Sequence, residues 1–158
     1  MNKNIKNKSV TRFAIVQAIY CIKSLQLNEL EILNFFDGKN REFFSGLDES
    51  IEEKKIDKNL FSRIIRIQND KKEFIEKLID KNINKNWDIK RLPVILHSIL
   101  IAAVSEMIVH PKLSLGIIVT EYLKITECFF LDGESAFVNA FIEKAHSILI
   151  SSQESMNG

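Results

Sequence analysis

The sequence predicts an all-α fold of about seven helices, and three observations carry that prediction. Five Gly and two Pro in 158 residues leave little material for the tight turns of a sandwich or barrel. Apolar residues recur at i, i+3, i+4 spacing through most of the chain, in segments rich in Leu, Ile, Lys and Glu. No pair of alternating runs flanks a hairpin turn, and no internal repeat is found. A chain of this length is one ordinary domain with enough material for a real core.

The helices follow in order. Residues 1–7 are polar and are expected to form a disordered basic tail. From Lys8 to about Leu27 the pattern is helical: Phe13, Val16, Ile19, Tyr20 and Cys21 share a face, and Ser9 or Thr11 is placed to cap. Asn28 to Phe36 reads as a short helix ended by Asp37-Gly38, and residues 38–58 as a polar, flexible loop. Leu60 to Lys85 reads as one long helix or two shorter ones meeting near Asn69-Asp70. Pro93 suits the first position of the next helix, where its missing N–H costs nothing. From Val94 to Val109 that helix is apolar nearly all round, which predicts a central, covered position, and His110-Pro111 stops it. Leu115 to Phe130, closed by Asp132-Gly133, and Ser135 to about Ile150 are the last two. The globular domain is therefore expected over 8–150, with a disordered tail over 151–158.

A composition 46% hydrophobic and 27% charged excludes a disordered chain. The net charge of +1 is unevenly spread. Residues 1–28 hold Lys3, Lys6, Lys8, Arg12 and Lys23 and no acid, whereas residues 105–158 hold three basic residues and seven acidic ones. A basic start and an acidic end suggest two different partners. Lys outnumbers Arg 17 to 5, as AT-rich coding favours, so a retained arginine weighs more than a lysine. Lys8 and Arg12, four apart, share a face at the start of the first helix, expected to point away from its apolar stripe.

Catalysis is not expected. The sequence has no glycine-rich phosphate loop, no GxSxG and no HExxH. His97, His110 and His146 have no partner at metal-ligand spacing, so no metal or other cofactor is expected, and His97 reads as a satisfied core histidine. Cys21 and Cys128 are too few and too far apart for a disulfide framework, and both are expected to be buried thiols. The start lacks a signal-peptide pattern, and the longest uncharged apolar stretch, Leu92 to Ser105, is too short to span a bilayer; the expectation is a cytoplasmic protein with no membrane contact. Binding of single-stranded RNA needs several cations along one surface and an exposed aromatic for a base to stack on. The basic start supplies the cations, and Phe137 in the first turn of the last helix is a candidate aromatic, although packing inward is the commoner fate of such a residue.

The stretches Arg12 to Tyr20, Asn86 to Met107 and Glu121 to Asn139 together resemble the NusB family of transcription antitermination factors. The run Arg12-Phe13-Ala14-Ile15-Val16-Gln17-Ala18-Ile19-Tyr20 resembles the family's AR-x-x-AVQALY opening. Asn86-Trp87, Arg91-Leu92-Pro93, Ile99-Leu100 and Glu106-Met107 resemble its NW…RLP…ILR…YEL centre. Glu121-Tyr122, Phe129-Phe130, Asp132-Gly133-Glu134 and Phe137-Val138-Asn139 resemble the NEY…FF-x-DGE…FVNG segment of alphaproteobacterial members. The matches run in register from residue 8 to about 149.

The resemblance implies two packed helical bundles in one domain. It implies a partner, NusE, which is also a small-subunit ribosomal protein, and joint binding of boxA-type RNA in the polymerase antitermination complex, notably in ribosomal RNA operons. It assigns RNA contacts to Lys8, Arg12, Phe137 and Asn139, with Lys3 and Lys6 as helpers, and turns the expectation for Phe137 toward exposed stacking. Partner contacts are expected at Tyr20, Glu106 and Glu121, and the apolar content also allows a homodimer. The chain departs from the family pattern at several points. The arginine-rich RRRAR run is Lys8-Ser9-Val10-Thr11-Arg12, the Arg of ILR is Ile101, and the acid a few positions earlier is Leu96. The Tyr of YEL is Ser105, the Asn of NEY is Thr120 and the Gly of FVNG is Ala140. A second reading therefore stands beside the first: a helical protein–protein adaptor with weak or no RNA binding. A third, the helical domain of an RNA cytosine methyltransferase, requires a cofactor loop that these residues do not contain.

Overall fold

A computed structural model describes residues 7–34, 56–83, 91–131 and 133–157, and among these every regular element is helical. The elements are α1 (Lys8–Leu25), α2 (Glu29–Asn34), α3 (Lys58–Asp70), α4 (Lys72–Asn82), α5 (Val94–Val109), α6 (Leu115–Phe129) and α7 (Glu134–Asn157). The expected tail over 1–6 and most of the expected loop over 38–58 lie outside the described residues.

Local chemistry sets the boundaries. The cap of α1 is Asn7, neither Ser9 nor Thr11: its side-chain oxygen accepts the Val10 N–H at 3.0 Å, satisfying a donor that the first turn leaves free. Thr11 is used across the fold instead, donating to the Asn7 carbonyl and accepting the Asp57 N–H, both at 2.8 Å. Asp57 and Ser114 cap α3 and α6 in the same way as Asn7 caps α1. The segment expected over 60–85 is, through residue 83, two helices, α3 and α4, joined at Lys71. Pro93 sits one position outside α5, and the helix ends at Val109, where Pro111 cannot continue it. Gly133, at φ +74°, occupies a left-handed conformation that makes the sharp entry to α7. The last helix then runs to Asn157, well past Ile150. After Gly133 no Gly or Pro interrupts the chain before Gly158, so nothing breaks the i to i+4 ladder.

Helix α5 is the axis of the molecule. Its residues from Leu96 to Met107 are all buried. It packs against α1 and α3, with α2 lying on α3, and against α4, α6 and α7. This is the expected pair of bundles, sharing one helix. Because α5 is covered all round, its polar residues must be satisfied internally. Ser98 and Ser105 donate to the carbonyls of Val94 and Ile101, at 2.7 Å each. His97 pairs through Nε2 with Glu76 Oε2 of α4 at 2.9 Å, as a satisfied core histidine should. Burial by itself would raise the Glu76 pKa, but His97 and Lys23 outweigh it and hold the carboxyl below its ordinary range.

The two thiols differ from expectation. Cys21 is half-buried, and burial pushes its thiol pKa up. Cys128 is exposed, because it falls outside the buried stripe of Ile118, Tyr122, Ile125 and Thr126 on α6. Among the described residues no helix is long and apolar enough to cross a membrane.

Candidate nucleic-acid interface

The start of α1 is anchored by ionic bonds. Arg12 points inward, 4% exposed, where a carboxylate from α5 meets it. Its Nε donates to Glu106 Oε1 at 2.8 Å and Oε2 at 3.0 Å, and its Nη2 donates to Oε2 at 2.7 Å. Glu106 is fully buried and accepts a further bond at Oε1, from the Tyr122 hydroxyl of α6 at 2.7 Å. Burial opposes the charge on Arg12, but the bonds and field of Glu106 more than offset it, so the guanidinium pKa is raised. For the Tyr122 phenol, burial comes first and the negative charge of Glu106 second, and both push its pKa well above the ordinary value.

A second carboxylate extends this network toward the surface. Glu121 accepts from the Ser9 hydroxyl at 2.7 Å and lies 3.8 Å from Arg12 Nη1 and 3.9 Å from Lys124 Nζ. Arg12, Glu106, Glu121 and Tyr122 thus bind α1, α5 and α6 together at one end of the domain. Next to Arg12 on α1, Phe13 stacks on Phe129 at the end of α6, with ring centroids 5.7 Å apart and planes 8° from parallel. The α6–α7 turn follows Phe129 directly.

Outside the network lies a depression of about 480 Å³ whose rim includes Lys8, Lys112 and His110 and whose inner wall includes Arg12 and Glu106. Lys8 is exposed at its edge.

The comparisons decide the family. The sequence matches the NusB family over residues 9–147. This chain belongs to the NusB family. It is 24% identical over 138 residues to a transcription antitermination protein NusB of Novosphingobium aromaticivorans, an alignment covering 87% of this chain and 91% of the relative. Against the protein of the same name from Sinorhizobium fredii it is 27% identical over 146 residues, covering 90% and 87%. T. maritima NusB shares the fold, with a TM-score of 0.67 at 19% identity over 90% of this chain and 92% of that one.

Within this NusB-family framework the expected site residues separate into groups. Lys8 is at the surface, as expected. Arg12 is not: the expectation that it shares an outward face with Lys8 is corrected by its burial against Glu106. The two residues do line one depression, but only Lys8 reaches solvent freely. Glu106 is likewise corrected as a surface partner contact, since it is fully buried and engaged by Arg12 and Tyr122. Tyr20 remains 39% exposed on α1, and the Glu121 side chain is 17% exposed beside Ser9. Phe137 is half-buried and packs against the core with part of its ring at the surface, and Asn139 is half-buried two residues on. Lys3 and Lys6 lie outside the described residues.

The departures from the family pattern also find a place. Leu96 and Ile101, two of those departures, are buried in the core. Ser105 returns its hydroxyl to its own helix, and the phenol that bonds Glu106 comes from Tyr122. Reading the sequence for sites missed Tyr122, Arg63, His110 and Lys112. A signal for the first was present: a lone carboxylate in a helix apolar on all sides needs a buried cation and further donors. Nothing local marks the other three, because Arg63 comes to the α5–α6 turn of His110 and Lys112 from a separate helix.

Proposed function

We propose that this chain is a transcription antitermination factor that binds boxA-type single-stranded RNA together with NusE, the small-subunit ribosomal protein, within the polymerase antitermination complex that supports ribosomal RNA operons. The observation that carries this reading is the match to the NusB family over residues 9–147, among relatives named transcription antitermination proteins. In this reading Lys8 neutralises a phosphate, and Phe137 and Asn139 meet a base at the start of α7, one through ring stacking and the other through amide hydrogen bonds. Arg12 acts from inside, holding the head of α1 against α5 and α6 so that Lys8 is presented in a fixed position. Tyr20 and Glu121 are the surface residues offered to NusE. The chemistry proposed is recognition, with no catalytic step.

Arg12's burial also favours a second reading. Of the two cations that match the family's arginine run, only Lys8 stands at the surface, so a protein–protein adaptor with weak RNA binding is the alternative. A gel shift with boxA RNA, with and without NusE, separates the two. Antitermination through RNA requires a shift that NusE strengthens; no shift in either lane, with NusE still bound to the chain, leaves the adaptor.

A further inference from the structure

We propose that the depression between the head of α1, α3 and the α5–α6 turn is a second RNA-contact site, which takes a phosphate and the adjoining sugar or base face of a strand continuing past Lys8. The inference rests on the RNA-binding reading above and extends it to residues outside the family motifs quoted earlier. Three elements bring cations to it. Lys8 of α1 and Lys112 of the α5–α6 turn line the depression, with the His110 imidazole between them, and Arg63 on the exposed face of α3 stands beside it. Arg63 Nη2 lies 3.5 Å from the Val109 carbonyl, which sets its guanidinium beside that turn.

The convergence also shows in His110. Burial first, and then the positive charges of Arg63, Lys8 and Arg12, lower its imidazole pKa against the opposing pull of Glu106. The Glu106 carboxylate on the inner wall is already bonded to Arg12 and Tyr122, so it does not cancel the rim. The floor and sides are apolar, formed by Leu60, Val109, Pro111 and Leu113. A cationic rim over an apolar floor suits a nucleotide, which is anionic at the phosphate and flat and weakly polar at the base. A volume of about 480 Å³ lies within the range of small-ligand sites, about 300–1,000 Å³. Continuity with Lys8 favours a single RNA strand over an acidic peptide.

The test uses the full chain with NusE and boxA RNA, measuring affinity across a salt series for the wild type, Lys8→Ala, Arg63→Ala/Lys112→Ala and Arg63→Glu/Lys112→Glu. Arg63 and Lys112 are both exposed, and an unchanged circular dichroism spectrum verifies the fold. Loss of the one single-strand phosphate contact should reduce the slope of log K against log salt by about 0.7 and weaken binding several-fold, with the charge reversal weaker still. If Lys8→Ala weakens binding while both double variants match the wild type, the second site is refuted and the RNA-binding reading stands. If the double variants keep RNA affinity but lose NusE, the basin belongs to the protein partner and the inference is wrong. If the wild type binds no RNA, both fall together.

Discussion

Arg12 and Glu106, ninety-four positions apart in sequence, form a two-pronged buried ion pair that joins the first helix to the central one. The pair does two things that a surface cation could not. It satisfies a carboxylate that α5 carries into the core, and it sets the rotation of α1 so that Lys8 faces solvent. Desolvation makes such a pair a poor source of net stability when both partners are replaced together, and a costly one to break by halves.

The first prediction follows from that asymmetry. Arg12→Ala and Glu106→Ala should each destabilise the domain by about 3–5 kcal/mol, because each leaves the other charge buried and unpaired. The double variant Arg12→Met/Glu106→Leu should cost less than the sum of the two. Urea denaturation of the four proteins gives the coupling energy; additive losses would show that the two side chains do not depend on each other.

Tyr122 makes the domain sensitive to alkali. Its folded pKa is raised, so the unfolded chain, with its phenol near pH 10, releases the proton first. The contribution is fully present below that pH and is lost as the pH rises above it. Tyr122→Phe should lower stability at neutral pH by about 1–3 kcal/mol, since Glu106 loses a buried donor, yet should flatten the decline between pH 9 and 11. Thermal melts of both proteins across that range are the measurement, and parallel curves would remove the assignment.

For the RNA reading, Lys8→Ala should lower boxA affinity and reduce the salt slope by about 0.7, the value for one single-strand phosphate. Phe137→Ala should cost about 1–3 kcal/mol of binding while leaving the slope unchanged, because stacking carries no charge. Part of the Phe137 ring is packed in the core, so binding must be compared at matched folded fraction. A slope that fell with Phe137 and stayed constant with Lys8 would reverse the two roles.

At Gly133 the backbone lies at φ +74° and an added Cβ meets no atom within 4 Å, so only conformational strain opposes substitution. Gly133→Ala should therefore cost about 1–2 kcal/mol, and Gly133→Asn less, since Asn tolerates the left-handed region better. Equal melting temperatures for the Gly and Ala proteins would mean that the turn relaxes.

The sequence by itself determined the helices and their order. Periodicity, Pro93, the stop at His110-Pro111 and the break at Asp132-Gly133 are local signals, and a local structure obeys them. It also placed α5 at the centre, because a helix apolar on all sides has nowhere else to go, and it placed His97 in the core with a partner. The family was legible in motif order, since short stretches in register carry more information than any one of them. Where it erred on elements, the competing chemistry was also local. Asn7 rather than Ser9 caps α1, and α7 runs to Asn157 because polarity alone does not end a helix.

The identity of the outward-facing residues was decided only in three dimensions. A basic residue at a helix start reads the same in sequence whether water or a buried carboxylate lies opposite. Lys8 and Arg12, one turn apart on one helix, have opposite fates because Glu106 reaches only the second. The same limit hid the basin, where Lys8 of α1 and Lys112 of the α5–α6 turn meet with Arg63 of α3 beside them, from three separate stretches of sequence. Burial and charge convergence depend on how helices pack, and that packing is set by the whole core rather than by the residues that line the site.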